Sequence, residues 1–376
     1  MACISTALIV GGSIAGMNAA IALAQQGVTV DVVELSHEAL GASLAFSGRA
    51  AMALVELGIY DEVYATGRPD LPGNTAVSIR SAATGEILNP GPARPTWPGA
   101  VPGVGVFRPT FLAVAQAHAE RLGVRIRKGV TYETIEEDAD GVTVTFTDGE
   151  TGRYDLLVGA EGIRSKLREK VFPDAPAPKF AGQLSIRWMV PGEPVPDEGW
   201  YASPAGRLGF YYLPGAGTYV PSVINIPEPR WYSQDEVRAI FTGLLDTMQA
   251  PAIRELRARL TDSSELIGRQ FEWILLEDRW YKGRILLIGD AAHATSAHMG
   301  MGGGMALEDA VVLGQEIGGA ATLPEALAQF MERRYERVKL VVETSVRLGQ
   351  LEQERAPHSE NVALLTKAFS KLGTPY

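Results

Sequence analysis

The stretch from Ala7 to Glu34 decides the fold of this chain, and it reads ALIVGGSIAGMNAAIALAQQGVTVDVVE. Its first part, Ala7 to Val10, is a short apolar run with branched side chains, which is typical of a strand buried on both faces. Glycines follow, then an alanine-rich helical run, and then a second apolar run, Val28 to Glu34. The stretch therefore predicts a β-α-β unit with a glycine turn after its first strand.

The glycine turn is a candidate ligand site. Gly11, Gly12 and Gly16 lie between the strand and the helix, where free backbone N–H groups meet the positive end of the helix dipole. This geometry suits a pyrophosphate, and an acid about 20 residues on, here Glu34, suits a ribose hydroxyl. Ser13 replaces the middle glycine of G-x-G-x-x-G. The pattern favours dinucleotide binding, and the alternative is a tight turn in an ordinary α/β domain.

Composition narrows the class of protein. The 376 residues exceed what one ordinary core holds, which predicts two domains or one elaborated domain. A net charge of -10, with no basic stretch to offset it, argues against nucleic acid as a partner. The single cysteine cannot form an internal disulfide, which favours a reducing compartment.

The chain offers no targeting or membrane pattern. Its first ten residues lack a basic region, and no apolar run approaches the roughly 20 residues that span a bilayer. We therefore expect a cytoplasmic protein with no membrane partner. The five histidines are scattered without metal-ligand spacing, so we also expect no metal.

Changes in composition predict a second domain. Residues 70–104 are rich in Pro and Gly, with short strands expected at Ala76 to Ile79 and Glu86 to Leu88. Residues 172–279 gather Trp, Tyr and Pro and contain alternating segments, which predicts a region rich in sheet. Helices are expected from Arg108 to Leu122 and over most of the chain after Met305.

Two more glycine signatures follow apolar strands. The first is DLLVGAEGIRSKLR at 155–168, and the second is RILLIGDAAH at 284–293, followed by ATSAHMGMGGG at 294–304. An aspartate at a strand end can accept a hydrogen bond from a polyol hydroxyl, and glycines before a helix let backbone N–H groups approach a flat or anionic ligand. Three such turns can converge at the carboxyl edge of one sheet, where ligands bind.

These three signatures, in this order, resemble the class A flavoprotein aromatic monooxygenases, and among them the branch of salicylate hydroxylase and 6-hydroxynicotinate 3-monooxygenase. The resemblance covers nearly the whole chain. It implies the para-hydroxybenzoate hydroxylase fold, an α/β fold with a Rossmann-like FAD-binding domain (three-layer, glutathione-reductase-type), a mixed-sheet substrate domain and C-terminal helices. The implied ranges are 1–70, 98–171 and 280–335 for FAD, 71–97 and 172–279 for substrate, and 336–376 for the C-terminal helices.

The resemblance also implies a set of FAD-binding residues. They are Gly11, Gly12, Ser13, Ile14, Ala15, Gly16, Glu34, Leu35, Arg49, Arg108, Glu161, Gly162, Asp290, Gly300, Gly302, Gly303, Gly304 and Met305. In the family, the first glycine loop holds the pyrophosphate and the acid matching Glu34 holds the adenosine ribose. The arginine matching Arg108 reaches the phosphate and ribityl region, and the aspartate matching Asp290 bonds the ribityl chain. The last glycine loop lies beside the isoalloxazine ring.

The sequence departs from the family pattern at several positions. Glu161 replaces the usual Asp of the Asp-Gly pair that serves FAD and the nicotinamide cofactor, and its side chain is one methylene longer. Ala297 replaces a proline whose carbonyl lies near the reacting face of the flavin, and Met301 replaces a glutamine or alanine. Ala45 stands where the hydroxynicotinate branch has a pocket histidine, so we expect a different substrate.

The reaction that the resemblance implies is hydroxylation of a small aromatic or heteroaromatic ring by an FAD-dependent monooxygenase. NADH or NADPH reduces the flavin, and O₂ then forms a C4a-hydroperoxide that delivers the hydroxyl group. The alternatives are a related flavoenzyme that performs epoxidation, oxidative decarboxylation or oxidation, and a flavin-binding sensor without turnover. We expect a monomer or a homodimer.

Candidate catalytic residues are Tyr211, Tyr212, Ala297 and His298. Tyr212 matches a pocket tyrosine of the hydroxynicotinate branch, and its alternative is a half-buried sheet aromatic. His298 lies in the flavin loop, where it could polarise the substrate or simply be a satisfied loop histidine. Arg49 could also pair with a substrate carboxylate, although a solvated arginine at a helix start is the simpler interpretation. We expect a structural role for His293.

Overall fold

The computed structural model of the chain describes residues 2–38, 41–69, 78–89 and 99–376. The strands are β1 (Thr6–Val10), β2 (Thr29–Glu34), β3 (Ser43–Phe46), β4 (Arg68–Pro69), β5 (Ile79–Ser81), β6 (Ile87–Asn89), β7 (Val104–Phe107), β8 (Arg125–Lys128), β9 (Tyr132–Glu137), β10 (Val142–Phe146), β11 (Thr151–Tyr154), β12 (Leu156–Gly159), β13 (Lys179–Val190), β14 (Gly199–Ser203), β15 (Gly206–Leu213), β16 (Gly217–Asn225), β17 (Leu266–Trp273), β18 (Tyr281–Lys282) and β19 (Ile285–Leu287). The helices are α1 (Ile14–Gln25), α2 (Arg49–Glu56), α3 (Tyr60–Thr66), α4 (Arg108–Arg121), α5 (Lys166–Val171), α6 (Gln234–Asp246), α7 (Pro251–Arg259), α8 (Asp290–His293), α9 (Gly302–Gly319), α10 (Leu323–Gln353) and α11 (His358–Leu372).

The predicted β-α-β unit forms the centre of the first sheet. Within the described residues, this sheet has the order β18-β19-β12-β1-β2-β8, and all its neighbours are parallel except β18 and β19. Ala7, Leu8 and Ile9 of β1 are fully buried because α1 and α9 cover one face and the antiparallel sheet β11-β10-β9 covers the other. The predicted three-layer, Rossmann-like fold is confirmed.

The second large sheet has the order β17-β13-β16-β15-β14-β5-β6. It is mixed, since β14 and β5 run parallel while the other described neighbours run antiparallel. Helices α6 and α7 pack on one face through Val237, Phe241, Ile253 and Leu256. The predicted mixed sheet is therefore confirmed, with its long strand β13 between β17 and β16.

Helix α10 connects the two regions. It packs against α9 near its beginning and against β13 farther along. It runs without interruption through residue 335, where our predicted division separates the FAD-binding domain from the C-terminal helices. The two large sheets draw their strands from the ranges assigned to the two domains, and we keep the division as a proposal.

Most local predictions agree with the elements observed. The expected helix from Arg108 spans Arg108–Arg121, and the strand expected at Glu86 to Leu88 spans Ile87–Asn89. The strand expected at Ala76 to Ile79 is described only from Ile79, because residues 76 and 77 lie outside the described residues. In the part of the chain that the structure describes, no helix is long and apolar enough to cross a membrane.

Close packing of α1 on α9 yields a first prediction. A Cβ at Gly314 would lie 2.9 Å from the Ala22 Cβ and 3.0 Å from its carbonyl oxygen. We expect Gly314→Ala to lower the free energy of unfolding by about 1–3 kcal/mol, because the two helices must separate. Gly319→Ala in the same helix is the matched control, since nothing lies within 4 Å of the added Cβ. Denaturant unfolding of both variants measures the difference, and equal stabilities would contradict the packing.

Candidate active site

A cavity of about 770 Å³ lies where the glycine loops of the first sheet face the second sheet. It brings together most of the residues predicted to bind a cofactor or substrate. Those that line it are Gly11, Ser13, Ile14, Ala15, Glu34, Leu35, Arg108, Glu161, Gly162, Asp290, Ala297, His298, Gly300, Gly302, Gly303 and Gly304. Three loops far apart in the sequence therefore meet at one place.

Other predicted residues are not among the described residues that line the cavity. They are Gly12, Gly16, Arg49, Tyr211, Tyr212 and Met305. Gly16 keeps the turn tight, since a Cβ there would lie 1.8 Å from the Gly11 carbonyl oxygen. The Arg49 Nε donates to the Gly373 carbonyl oxygen at 2.9 Å, and Met305 is buried in the core. These positions do not test the expected contacts of Arg49 and Met305 with the cofactor, which remain predictions.

Glu34 shapes the first glycine turn. Its Oε2 accepts from the Gly12 N–H at 2.7 Å, and its Oε1 accepts from the Ser36 N–H at 2.7 Å. Each carboxylate oxygen keeps a further lone pair for a ligand hydroxyl. Gly11 has a φ of +105°, and a Cβ there would lie 2.4 Å from the Ala160 carbonyl oxygen. Only glycine can therefore bring this turn so close to the loop after β12.

Arg108 and Asp290 both line the cavity, and their opposite charges attract each other. The Arg108 Nε is buried and has no hydrogen-bond partner among the described residues. Burial lowers the pKa of the Arg108 guanidinium, and Asp290 opposes that shift. A buried donor without an acceptor is costly, so this atom indicates a ligand that supplies one.

Asp290 begins α8, directly after the strand β19 and Gly289. Although the residue is exposed to the cavity, protein surrounds that cavity, and desolvation raises the pKa of the carboxyl. His293 and Arg108 act in the opposite direction. A carboxylate here can accept hydrogen bonds from the hydroxyls of a polyol, as predicted.

A buried network of charged residues holds the backbone next to Asp290 through hydrogen bonds of Asp309. Asp309 accepts from the Gly289 N–H at 2.9 Å and from the Arg334 Nε at 2.8 Å. Its Oδ2 also lies 2.6 Å from the His293 Nε2, and the His293 ring packs against Trp280 with centroids 4.7 Å apart. The structural role expected for His293 agrees with this geometry, since its ring points into the core.

The longer side chain of Glu161 turns toward its own helix. Its Oε2 accepts from the Ser165 Oγ at 2.6 Å and from the Leu167 N–H at 3.0 Å. Desolvation raises the pKa of Tyr132, and so does the Glu161 carboxylate, whose Oε1 lies 3.4 Å from the Tyr132 hydroxyl. Through these hydrogen bonds, the longer side chain of Glu161 ties the loop that contains Gly162 to the start of α5. Gly162 itself lines the cavity.

The third loop brings three glycines, Gly302, Gly303 and Gly304, to the cavity at the start of α9. The nearest heavy atoms to a Cβ at Gly303 would belong to Phe46, Ile14 and Leu44, at van der Waals distances of 3.4–3.7 Å, and these three residues also line the cavity. A Cβ at Gly304 would lie 3.0 Å from the Ala50 Cβ, so that position is tighter. Small residues beside a helix N-terminus fit a flat ring that carries negative charge at one edge.

The wall opposite the glycine loops comes from the second sheet, and the sequence analysis did not identify it. Its described residues are Ser185, Arg187, Trp200, Arg207, Tyr219, Pro221, Ser222, Val223 and Phe271. Ser185 and Arg187 alternate with the buried Ile186 and Trp188 on β13. One sequence pattern could have predicted part of this wall: two polar residues at alternate positions of an otherwise apolar strand point to the same face of the sheet.

Arg187 and Tyr219 give that wall its polarity. The Arg187 side chain has no hydrogen bond or ion pair with another described residue. Burial raises the pKa of Tyr219 and also that of Tyr211, which is its cross-strand neighbour at 5.7 Å between ring centroids. Both phenols therefore stay protonated and can donate a hydrogen bond. Tyr219 lines the cavity, whereas Tyr211 and Tyr212 are not among its described lining residues, and the catalytic roles expected for those two stay predictions.

A known protein family matches most of this chain, including every strand of the first sheet but only part of the second sheet. The family described as FAD binding domain matches residues 5–190 and 251–345. The chain belongs to the FAD-binding domain family. This family member is similar to the FAD-dependent urate hydroxylase of Klebsiella pneumoniae, with 30% identity over 89% of this chain and 87% of that protein. It is also similar to the salicylate hydroxylase of Pseudomonas putida, with 29% identity over 93% of this chain and 86% of that protein.

Solved structures share the fold. Klebsiella pneumoniae HpxO, complexed with FAD and uric acid, has a TM-score of 0.77 and 24% identity, covering 98% of this chain and 92% of that one. These findings confirm the predicted resemblance to class A flavoprotein monooxygenases and the assignment as an FAD-dependent monooxygenase. Three features of the cavity fit FAD: the tight turn at Gly11, the Arg108 Nε without a hydrogen-bond partner among the described residues, and the small residue Gly303 in the lining.

The buried charge network yields a second prediction. Asp309→Asn leaves the fully buried Arg334 without one of its two carboxylates. We expect the free energy of unfolding to fall by about 3–5 kcal/mol, because an uncompensated buried charge remains. Asp246→Asn is the matched control: its carboxylate pairs with Arg257 at the surface, where such pairs contribute less than about 1 kcal/mol. Chemical denaturation followed by circular dichroism compares them, and similar losses would contradict the role of the network.

Proposed function

We propose that this protein hydroxylates a small aromatic or heteroaromatic acid in a reaction that depends on FAD, NAD(P)H and O₂. One observation carries the proposal: a single cavity joins the three glycine loops to a wall that contains Arg187, whose side chain has no hydrogen bond or ion pair with another described residue. The relatives support it, since the names of two of them refer to urate and salicylate, which are acidic rings.

The glycine-loop side of the cavity would hold FAD along its length. Ser13 and the N-terminus of α1 would bind the pyrophosphate, and Glu34 would bind the adenosine ribose. Arg108 and Asp290 would bind the phosphate and ribityl region, with the Arg108 Nε gaining the acceptor that it lacks. Gly302 to Gly304 would lie along the isoalloxazine ring, where the N-terminus of α9 stabilises negative charge.

When bound, FAD supplies the acceptance of hydride from NAD(P)H and the activation of O₂. The protein binds the substrate, orients it and excludes water. Arg187 would bind an acidic group of the substrate, and the Tyr219 hydroxyl would donate a hydrogen bond to it. Trp200, Val223 and Phe271 would provide apolar contacts for the ring and keep that side of the cavity dry.

A larger side chain at Gly303, in the third loop, tests whether this part of the cavity binds FAD. We expect the wild-type protein to bind FAD and Gly303→Val to bind it at least about tenfold more weakly, because the added methyl groups enter the space for the ring. Gly319→Val is the matched control in the same helix, with nothing within 4 Å of its added Cβ. Flavin fluorescence titration measures the affinities. A wild-type protein that gains no flavin absorbance with added FAD would sink the proposal.

Arg187 tests the acidity of the substrate. A stopped-flow screen of aromatic acids, quinolones and phenols, with NADH and NADPH, identifies compounds that accelerate flavin reduction. For an active acid, we expect Arg187→Met to raise the KM about ten- to hundredfold, because it loses a charge-assisted hydrogen bond. Arg269→Met, at an exposed position of the neighbouring strand β17, should leave the KM unchanged.

The outcome of the screen is checked in the product. Transfer of one labelled oxygen atom from O₂ to the aromatic ring separates hydroxylation from simple oxidation. An Arg187→Met enzyme that handles acids as well as the wild type does would contradict the role of this arginine. Oxidation without oxygen transfer, for every compound that accelerates reduction, would contradict hydroxylation itself.

A further inference from the structure

His298 stands apart from the other groups in the cavity that can accept a proton. Among the described lining residues, the carboxylates are Glu34, Glu161 and Asp290, and they belong to the three loops on the cofactor side. The phenol of Tyr219, which also lines the cavity, has a raised pKa because it is buried, and it stays protonated. His298 therefore remains as the neutral base that a hydroxylated substrate could meet.

Ser296 and Glu352 flank the His298 imidazole. The Ser296 Oγ lies 2.8 Å from the His298 Nδ1, and both residues line the cavity. On the other side of the ring, the Nε2 lies 3.5 Å from the Glu352 Oε2, which is longer than an ordinary hydrogen bond. That nitrogen is buried and has no nearer partner among the described residues. Hydrogen bonds of catalytic groups are often long before the substrate binds.

The carboxylate of Glu352 is held in its ionised form. Arg207 donates from its Nε to the Glu352 Oε1 at 2.8 Å, and the Arg207 guanidinium lies over the Trp200 ring at 4.3 Å. Burial would raise the pKa of Glu352, but Arg207 and His298 outweigh it and lower that pKa to about 2. An ionised carboxylate only accepts hydrogen bonds, so it favours the proton of neutral His298 on Nε2.

Helix α10 packs closely against the His298 ring at Gly349. Gly349 lies one turn before Glu352, and a Cβ there would lie 2.9 Å from the His298 Cε1. Phe271 of β17 packs on the ring at 5.3 Å between centroids. The charged groups that face His298 are thus Glu352 from α10 and Arg207 from β15. Glu352 lies beyond the residues that the family matches, so the family motifs do not include it.

We propose that His298 takes the hydroxyl proton of the bound substrate through Ser296, and that Glu352 is the positioning residue that fixes the imidazole tautomer. The inference rests on the proposed function. The substrate O–H gives its proton to the Ser296 Oγ, while Ser296 gives its own proton to the His298 Nδ1. The substrate becomes a phenolate, and Glu352 stabilises the imidazolium that forms. Desolvation lowers the pKa of His298, so the imidazole is neutral and ready to accept.

Protonation of a bound phenol tests the relay without turnover. Para-nitrophenol is added to the FAD-loaded protein in the absence of NAD(P)H, and the absorbance of its phenolate is followed against pH. We expect the wild-type protein to bind the probe as phenolate below the pKa of the free probe. Glu352→Gln and His298→Asn should raise the pKa of the bound probe by at least about one unit. Glu354→Gln, at the C-cap of the same helix and paired with Arg347 at the surface, should match the wild type.

The tautomer is measured directly by nitrogen NMR on FAD-loaded protein with selectively labelled histidine. The His298 signals are identified by their loss in His298→Asn. We expect a proton on Nε2 in the wild type and a lower pKa of His298 in Glu352→Gln, where Arg207 is left as the nearest charge. A merely structural Glu352 would leave both quantities unchanged.

The outcomes separate this inference from the proposed function. A yellow protein whose bound probe titrates like the free probe overturns the relay, as does a proton on Nδ1 or a Glu352→Gln variant that behaves like the wild type. A protein that binds no FAD contradicts the proposed function itself.

Discussion

Three neighbouring parallel strands end at one edge of the central sheet, and each is followed by a glycine loop. These strands are β1, β12 and β19, and their pairing forces the loops at Gly11, Gly162 and Asp290 to lie side by side. Backbone N–H groups at such an edge have no strand or helix partner of their own, so they are available to a ligand. The cavity depends on this pairing, because no single loop could bind a ligand as long as FAD.

Buried charges keep that edge in place. Asp309 binds the backbone of Gly289 and the side chain of Arg334, and Arg168 of helix α5 donates to the Ala291 carbonyl oxygen. Glu34 and Glu161 hold the other two loops through backbone N–H groups. Each loop is therefore fixed by a carboxylate or a guanidinium before any ligand binds, which reduces the ordering that binding requires.

The sequence predicted what is local and missed what depends on distant contacts. The strand Ala7 to Val10, the helix from Arg108 and the three glycine loops are written in short motifs with a clear physical reading. Arg187, Arg207 and Tyr219 lie on strands whose register and facing side are set by their neighbours in the sheet. Tyr212 was chosen from its match to a pocket tyrosine of the hydroxynicotinate branch, and that match could not show that Tyr219 on the next strand also lines the cavity. Glu352 comes about 50 residues after His298, so only the packing of α10 on β13 brings the two together.

The most direct test of this account is a crystal structure of the protein grown with FAD. The account predicts one FAD molecule with its pyrophosphate at Ser13, its ribityl chain between Arg108 and Asp290, and its ring between Gly303 and the wall that contains Arg187. A flavin bound elsewhere, or a ring that leaves the Arg108 Nε without an acceptor and does not reach Gly303, would contradict it.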